Sequence, residues 1–293
     1  MDTDIRPRAA TPATENRAAG VALMVGSALS NQTGAAVGAL AFGVIGPVGV
    51  VAVRQWVAGT VLLALGRPRL REFTWPQWWP VLVLAAVFGT MNLSLYTAVD
   101  RIGLGLAVTL EFLGPLAVAL AGGRRGVTLG CVPLAAAGVV VLTRPQASSD
   151  YLGIGLALLA ALCWAAYILI NRTVGRRVPG VQGSAAAGAV SALAYVPIGI
   201  VVLLAHPPTP AALACATAAG LLSSAVPFVA DLLALRRVPA HFFGLFMSVN
   251  PVFAAGVGAI VLGEALAALD WLGIALVVTA NAVAVLVASR SAR

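Results

Sequence analysis

The sequence predicts an all-α integral membrane protein with ten transmembrane helices arranged as two inverted five-helix repeats. Composition is the first reason. Of the 293 residues 60% are hydrophobic and 10% charged, with a mean hydropathy of +0.98, values outside the range of soluble globular domains. The second reason is the distribution of arginine, which supplies all 18 basic residues. The third is an internal offset of 136 residues, which superposes Pro251 on Pro115 and Leu235-Arg236-Arg237 on Val99-Asp100-Arg101. On such a chain a net charge of +8 reports topology, and no nucleic-acid partner is expected.

About 20 apolar residues span the hydrocarbon core of a bilayer. Taken in order, such runs fall at 18–41, 48–65, 79–99, 104–121, 127–143, 151–170, 184–204, 213–235, 242–262 and 269–288. Residues 1–17 hold three arginines, three acids and two prolines ahead of any apolar run. They read as a disordered cytoplasmic tail and not as a cleaved signal peptide. The first repeat then occupies 18–143 and the second 151–288. Short connections such as Gly66-Arg67-Pro68-Arg69 and His206-Pro207-Pro208 punctuate the helices.

Short cytoplasmic loops retain arginine, so charge sets the orientation. With the N-terminus inside, fifteen arginines, among them Arg67, Arg71, Arg124, Arg177 and Arg237, fall on the cytoplasmic side, whereas Arg101 and Arg144 fall on the other and Arg54 lies within helix two. Both termini are then cytoplasmic, in a bacterial inner membrane. Five helices per repeat make the second copy enter the bilayer from the opposite side, an architecture that places a site near the midplane and works by alternating access. Trp75, Trp78 and Trp79 read as an interfacial anchor where helix three begins. Cys131, Cys163 and Cys215 show no metal or disulfide spacing and read as small packing residues.

Polar residues inside these helices are the candidates for function. An ionised acid at mid-bilayer costs about 2.5 to 3.5 kcal/mol on insertion scales, so Glu111 must face a partner or a cavity. Pro115 follows four residues later and cannot donate to the Glu111 carbonyl. A rise of about 1.5 Å per residue puts Glu111 about 10 Å and Arg54 about 9 Å below the outer surface. Asn31, Gln32 and Asn92 come out at similar depth, a polar chamber expected to open to the periplasmic half. The bland alternative is an Arg54–Glu111 ion pair that only locks two helices. Asp231 is either an interfacial partner of Arg236 and Arg237 or a pathway residue. Trp164 and Tyr167 share a face of helix six, as packing or as substrate enclosure. His241 reads as an interfacial histidine, and Asp100, Glu264 and Asp270 as solvated caps. Pro115 and Pro251 are expected to break helices four and nine at matching depth.

The stretch from Met91 to Leu120 (MNLSLYTAVDRIGLGLAVTLEFLGPLAVAL), then Cys163 to Tyr167 (CWAAY), Pro239 to Gly244 (PAHFFG) and Leu262-Gly263-Glu264 resemble the ten-helix EamA-domain exporters of the drug/metabolite transporter superfamily, and within it the inner-membrane threonine/homoserine exporters. The resemblance covers nearly all of the chain after the tail. It implies a proton-driven secondary exporter of small polar metabolites such as neutral amino acids, with no cofactor and no metal. The chain departs from the family at Asn250, where relatives carry an acid before the ninth-helix proline.

The expected protein is thus an exporter and not an enzyme, in which Arg54 meets a carboxylate or sets the pH response of Glu111, while Asn31, Gln32, Asn92 and Asn250 supply neutral hydrogen bonds. A drug or other metabolite exporter of the same superfamily is the alternative. An intramembrane enzyme would need clustered acids or a positioned base, which two histidines do not supply. No GxxxxGK[ST] phosphate loop of a primary pump occurs.

Overall fold

The computed structural model describes the backbone of residues 12–121, 125–143 and 150–291, and within it the side chains of 18–121, 130–143, 150–239 and 242–287. The expectations for Arg6, Arg8, Arg124, Arg144 and Arg293, and for the side chain of His241, lie outside the described residues. All regular structure among the described residues is helical. Eight spans are long and apolar enough to cross a membrane: Phe42–Gly66, Trp75–Ile102, Leu104–Ala121, Tyr151–Arg177, Gln182–Ala205, Pro210–Leu235, Phe242–Leu262 and Ala268–Val287.

The first helix, α1, runs Pro12–Ala39, so residues 12–17 of the expected tail are helical. Its successor α2 (Phe42–Gly66) starts six residues early and is kinked at Gly46 (φ 66°, ψ 168°), just ahead of Pro47. Helix α3 (Trp75–Ile102) opens with a capping box from Thr74 and Gln77, with Pro76 near its start, where a missing N–H costs nothing. The fourth span is two pieces, α4 (Leu104–Glu111) and α5 (Leu113–Ala121), parted at Phe112. Then come α6 (Arg125–Thr143), α7 (Tyr151–Arg177) and α8 (Gln182–Ala205). Asp150 caps α7 through the Gly153 amide at 2.8 Å.

The eighth expected span is α9 (Pro210–Gly220), a π-helical turn over Leu221–Ala225, and α10 (Val226–Leu235). Its neighbour comprises α11 (Ala240–Met247), α12 (Asn250–Val257) and a second π-helical turn, Gly258–Leu262, before α13 (Ala268–Ser291). The breaks at Phe112 and at Ser248-Val249 each lie just upstream of the prolines at 115 and 251, because a proline ring crowds the turn that precedes it.

Packing sets α2 along α8, α3 along α7, α6 along α13, and α1 along α9 and α10, with α4 against α12. Small side chains make this close approach possible, as is usual between helices in lipid: Ala36, Ala52, Ala98, Ala107, Ala157 and Ala216 are all in the main core, around the buried ring of Tyr96. Cys131, Cys163 and Cys215 are free thiols, the first two buried. Trp75 is exposed, Trp78 packs on Phe73 at 5.5 Å, and Trp79 lies under the Arg177 guanidinium at 5.0 Å.

Candidate functional site

Every residue expected along the transport pathway lines one of two adjoining cavities. The larger, of about 640 Å³, takes Asn31, Arg54, Asn92, Glu111, Trp164, Tyr167 and Asp231. The smaller, of about 160 Å³, shares Asn31, Arg54, Glu111, Trp164 and Asp231 and adds Gln32 and Asn250. The main cavity extends past Asn171, Ser184, Leu235 and Phe243. These belong to helix ends that adjoin Arg176, Arg177, Arg236 and Arg237. It therefore runs from the arginine-rich end to mid-bundle, whereas helix depth alone led to the expectation of an opening at the other end.

Arg54, only 7% exposed, is held from three sides. Its Nη1 donates to the Asn92 amide oxygen, its Nη2 to the Ser223 carbonyl at 3.3 Å, and its guanidinium lies 4.9 Å from the centre of the Tyr96 ring. The Arg54–Glu111 ion pair that the sequence offered as the structural alternative is not formed. Among the described residues the ion pairs are Arg69–Glu72 at 3.6 Å and Arg101–Asp150 at 3.0 Å, both near the surface. A guanidinium has five donors, and Asn92 with the Ser223 carbonyl occupies two sides of it, leaving Nε without a partner.

Prolines explain where these partners come from. Pro227 has no N–H for the turn before it, and two carbonyls of that turn are taken by neighbouring helices: Ser30 Oγ donates to Leu222 O at 2.7 Å and Arg54 to Ser223 O. Pro251 likewise cannot serve Met247 O, to which Asn250 Nδ2 donates at 3.0 Å while its Oδ1 accepts from Gln32 Nε2 at 3.5 Å. An acid at position 250 has no proton to give when ionised, so asparagine here does what a carboxylate cannot. At the arginine-rich end Pro80 leaves Pro76 O to Arg177 Nη1 at 2.8 Å.

Glu111 closes α4 at the break, 5% exposed on the wall common to both cavities. The ring of Phe112 beside it meets Trp164 edge-on at 4.6 Å, and Tyr167 lies 6.5 Å from Phe88. Asp231 is not an interfacial partner of Arg236 or Arg237. Its carboxyl faces the cavities, the smaller of which Ser27 also lines, with Oδ1 buried and unpartnered. The sequence reading passed over Ser27, Ser223 and Ser224; the signal was present in Ser223-Ser224 four and three residues ahead of Pro227. Arg101 pairs with Asp150 and not with its neighbour Asp100, and Glu264, expected as a solvated cap, instead reaches the first amides of α4.

A bundle of membrane-length helices around a charged chamber entered from one end defines a multi-pass membrane transport protein. The profile of the EamA-like transporter family matches residues 151–286. The threonine/homoserine exporter RhtA of Escherichia coli (strain K12) is 36% identical over 268 residues, 89% of each chain. RhtA of Salmonella typhimurium (strain SL1344) is 36% identical over 259 residues, 86% of each. A solved crystal structure at 20% identity shares the fold with a TM-score of 0.61, over 96% of this chain and 99% of its own. The chain belongs to the EamA-like transporter family.

Proposed function

We propose that the protein is an inner-membrane exporter of neutral amino acids such as threonine and homoserine, working by alternating access and driven by the proton gradient. The observation that carries this reading is a pair of unsatisfied charges in one chamber: Arg54 Nε and Asp231 Oδ1 are both buried without a hydrogen-bond partner, and both residues line both cavities. Buried polar atoms are rarely left unpaired without a reason. A guanidinium and a carboxylate that do not pair with each other suit a zwitterion, whose carboxylate meets Arg54 and whose ammonium meets Asp231. Glu111, on the same two cavities, is the group that exchanges a proton for the ammonium. The apolar walls at Phe88, Trp164 and Phe228 leave room for a small side chain, and Asn31, Gln32, Asn92, Tyr167 and Asn250 supply neutral contacts. The names of the exporter relatives support the same substrate class.

The proposed frame is ten helices, α1 and α6 joining the eight apolar spans, in two inverted units at 18–143 and 151–288. The termini are cytoplasmic and the arginine-rich end lies inside, so the described state is open inward. Supporting this frame, the second, fourth and fifth spans of one unit each pack on their counterparts in the other. A cysteine at residue 206 should be labelled from outside intact cells and one at 176 only after permeabilisation. Function is tested by threonine efflux from cells overexpressing the chain against an empty-vector strain, with Asp231→Asn and Arg54→Ala alongside. Efflux from the parent above vector, reduced in both variants, is the expected result. No efflux above vector ends the amino-acid reading, and a drug or another metabolite of the same superfamily is then the substrate to try.

A further inference from the structure

At the end away from the arginine-rich loops, Glu264 reaches from the second half of the chain into the first. Its carboxylate accepts hydrogen bonds from Leu104 N at 2.5 Å and Gly105 N at 3.2 Å, amides at the start of α4 that no helix carbonyl serves. The seat is shaped for it. Gly103 adopts φ 83° and ψ 161°, and a Cβ there would stand 3.1 Å from the carboxylate; a Cβ on Gly258 would stand 2.5 Å from Oε2. Gly263, in the left-handed region at φ 69°, turns the chain so that the Glu264 amide bonds Gly258 O at 3.2 Å. Beside this contact the Arg101–Asp150 pair joins the end of α3 to the start of α7. One short helix, α4, thus carries Glu264 on its first amides and Glu111 at its last residue, at the break.

We propose that Glu264 is the latch of the outer gate, and that α4 is a strut linking that latch to the acid of the chamber. The proposal rests on the transport reading above. With the carboxylate seated, helix four of the first half is tied to the end of helix nine, and the chamber stays closed on the side facing away from the arginine-rich end. A change of partner at Glu111 tilts α4 about the break at Phe112. Eight residues of helix span about 12 Å, so a tilt of several degrees moves the far end by about 1 Å, enough to take the Leu104 and Gly105 amides out of hydrogen-bond range of Glu264. The charge on Glu264 matters as well as its shape, because a carboxylate complements the positive end of a helix.

The test reads which side the chamber faces. In a chain whose three cysteines are replaced by alanine, Leu95→Cys puts a thiol on the wall shared by both cavities. A membrane-impermeant maleimide outside intact cells should label that thiol about fivefold faster once Glu264→Ala removes the latch, the factor expected from about one lost hydrogen bond. Gly258→Ala, which evicts the carboxylate by bulk and leaves its charge, should act the same way. Glu264→Gln, which keeps one acceptor oxygen, should fall between, and it carries the test if the alanine variants do not accumulate. Asp270→Ala removes the carboxylate that caps the Ala267 amide at the start of α13 and should leave labelling unchanged. Parental labelling rates in the Glu264 and Gly258 variants, or an equal rise with Asp270→Ala, would overturn the latch. Threonine efflux measured in the same cells separates the two claims: labelling that responds in a chain without threonine efflux sinks the substrate and keeps the gate, whereas normal efflux with unresponsive labelling sinks the gate alone.

Discussion

Positions 136 residues apart reach the same chamber with opposite chemistry. Asn31 has Tyr167 as its counterpart, Asn92 has Phe228, Phe88 has Ser224, and Leu95 has Asp231; all eight line the main cavity. Glu111 and Met247 stand in the same relation on the smaller one. In each pair one half offers a charge or a strong hydrogen-bonding group and the other an aromatic or aliphatic surface. On the proposed two-unit frame the scaffold decides which positions face the chamber, and the residue types at offset positions decide what they present. A chamber with equal halves would bind a zwitterion in two orientations. Here the guanidinium comes from the first half and the unpartnered carboxylate from the second, which on the proposed reading would fix one orientation.

Breaking this asymmetry should have graded effects. The largest is expected from Glu111→Gln, which gives the acid the neutral chemistry of its Met247 counterpart while keeping its shape. The variant should insert normally, fail to move threonine against a gradient and show a flat pH profile in vesicles; uphill transport with the parental profile would make Glu111 structural. Next comes exchange across the offset. Asp231→Leu should raise the KM for threonine by roughly tenfold or more, the usual scale for a lost charged hydrogen bond. Adding Leu95→Asp should recover part of that loss, since residue 95 faces both cavities. No recovery would mean that the halves are equivalent in position but not in reach.

A smaller effect concerns stability. Asn250→Ala leaves Met247 O without its side-chain donor and should cost about 1 to 2 kcal/mol, read as a lower melting temperature in detergent. In a Pro251→Ala background the restored amide can take that carbonyl, and the same change should cost less. Equal costs in both backgrounds would show that the proline does not create the need for Asn250. The smallest effect lies at the surface. The Gly153 amide, and then Arg101, hold the Asp150 carboxyl below its ordinary range. A lowered value contributes stability above the unfolded pKa of about 3.9 that is lost as pH falls through the folded value. Asp150→Asn should therefore remove a pH dependence confined to acid, without changing stability at neutral pH by more than the weak contribution of an exposed pair.

Much of the chamber was legible because a polar residue in an apolar helix has few explanations. Glu111, Arg54 and Asn92 stood out against their neighbours, and the structure gathers them. Serines do not stand out: Ser27, Ser223 and Ser224 are small enough to pass as packing residues. The opening was misjudged because depth along a helix does not say which end of a cavity is closed. In sequence Glu264 reads as a solvated cap because its partners, Leu104 and Gly105, are far away along the chain. At the first π-helical turn Ser30 and Arg54 take the Leu222 and Ser223 carbonyls, a tertiary property that local periodicity does not carry. Hydropathy stopped at residue 170 while α7 continues to Arg177, since its last turns lie where arginine reaches water.

The carbonyls that prolines leave open also bear on the order in which the chain is made. A bare carbonyl in hydrocarbon is costly from the moment its helix enters the bilayer. The buried acceptor, Ser223 O, is served by Arg54, 169 residues earlier in the chain, so its donor is already in the membrane when the eighth span emerges. Met247 O is served from three residues away by Asn250, which arrives with it. Of these three, Pro76 O waits for a later donor, Arg177, 101 residues on, and that bond is exposed, where water can stand in until α7 is synthesised. At Ser223 and Met247 the donor thus arrives before its acceptor or with it.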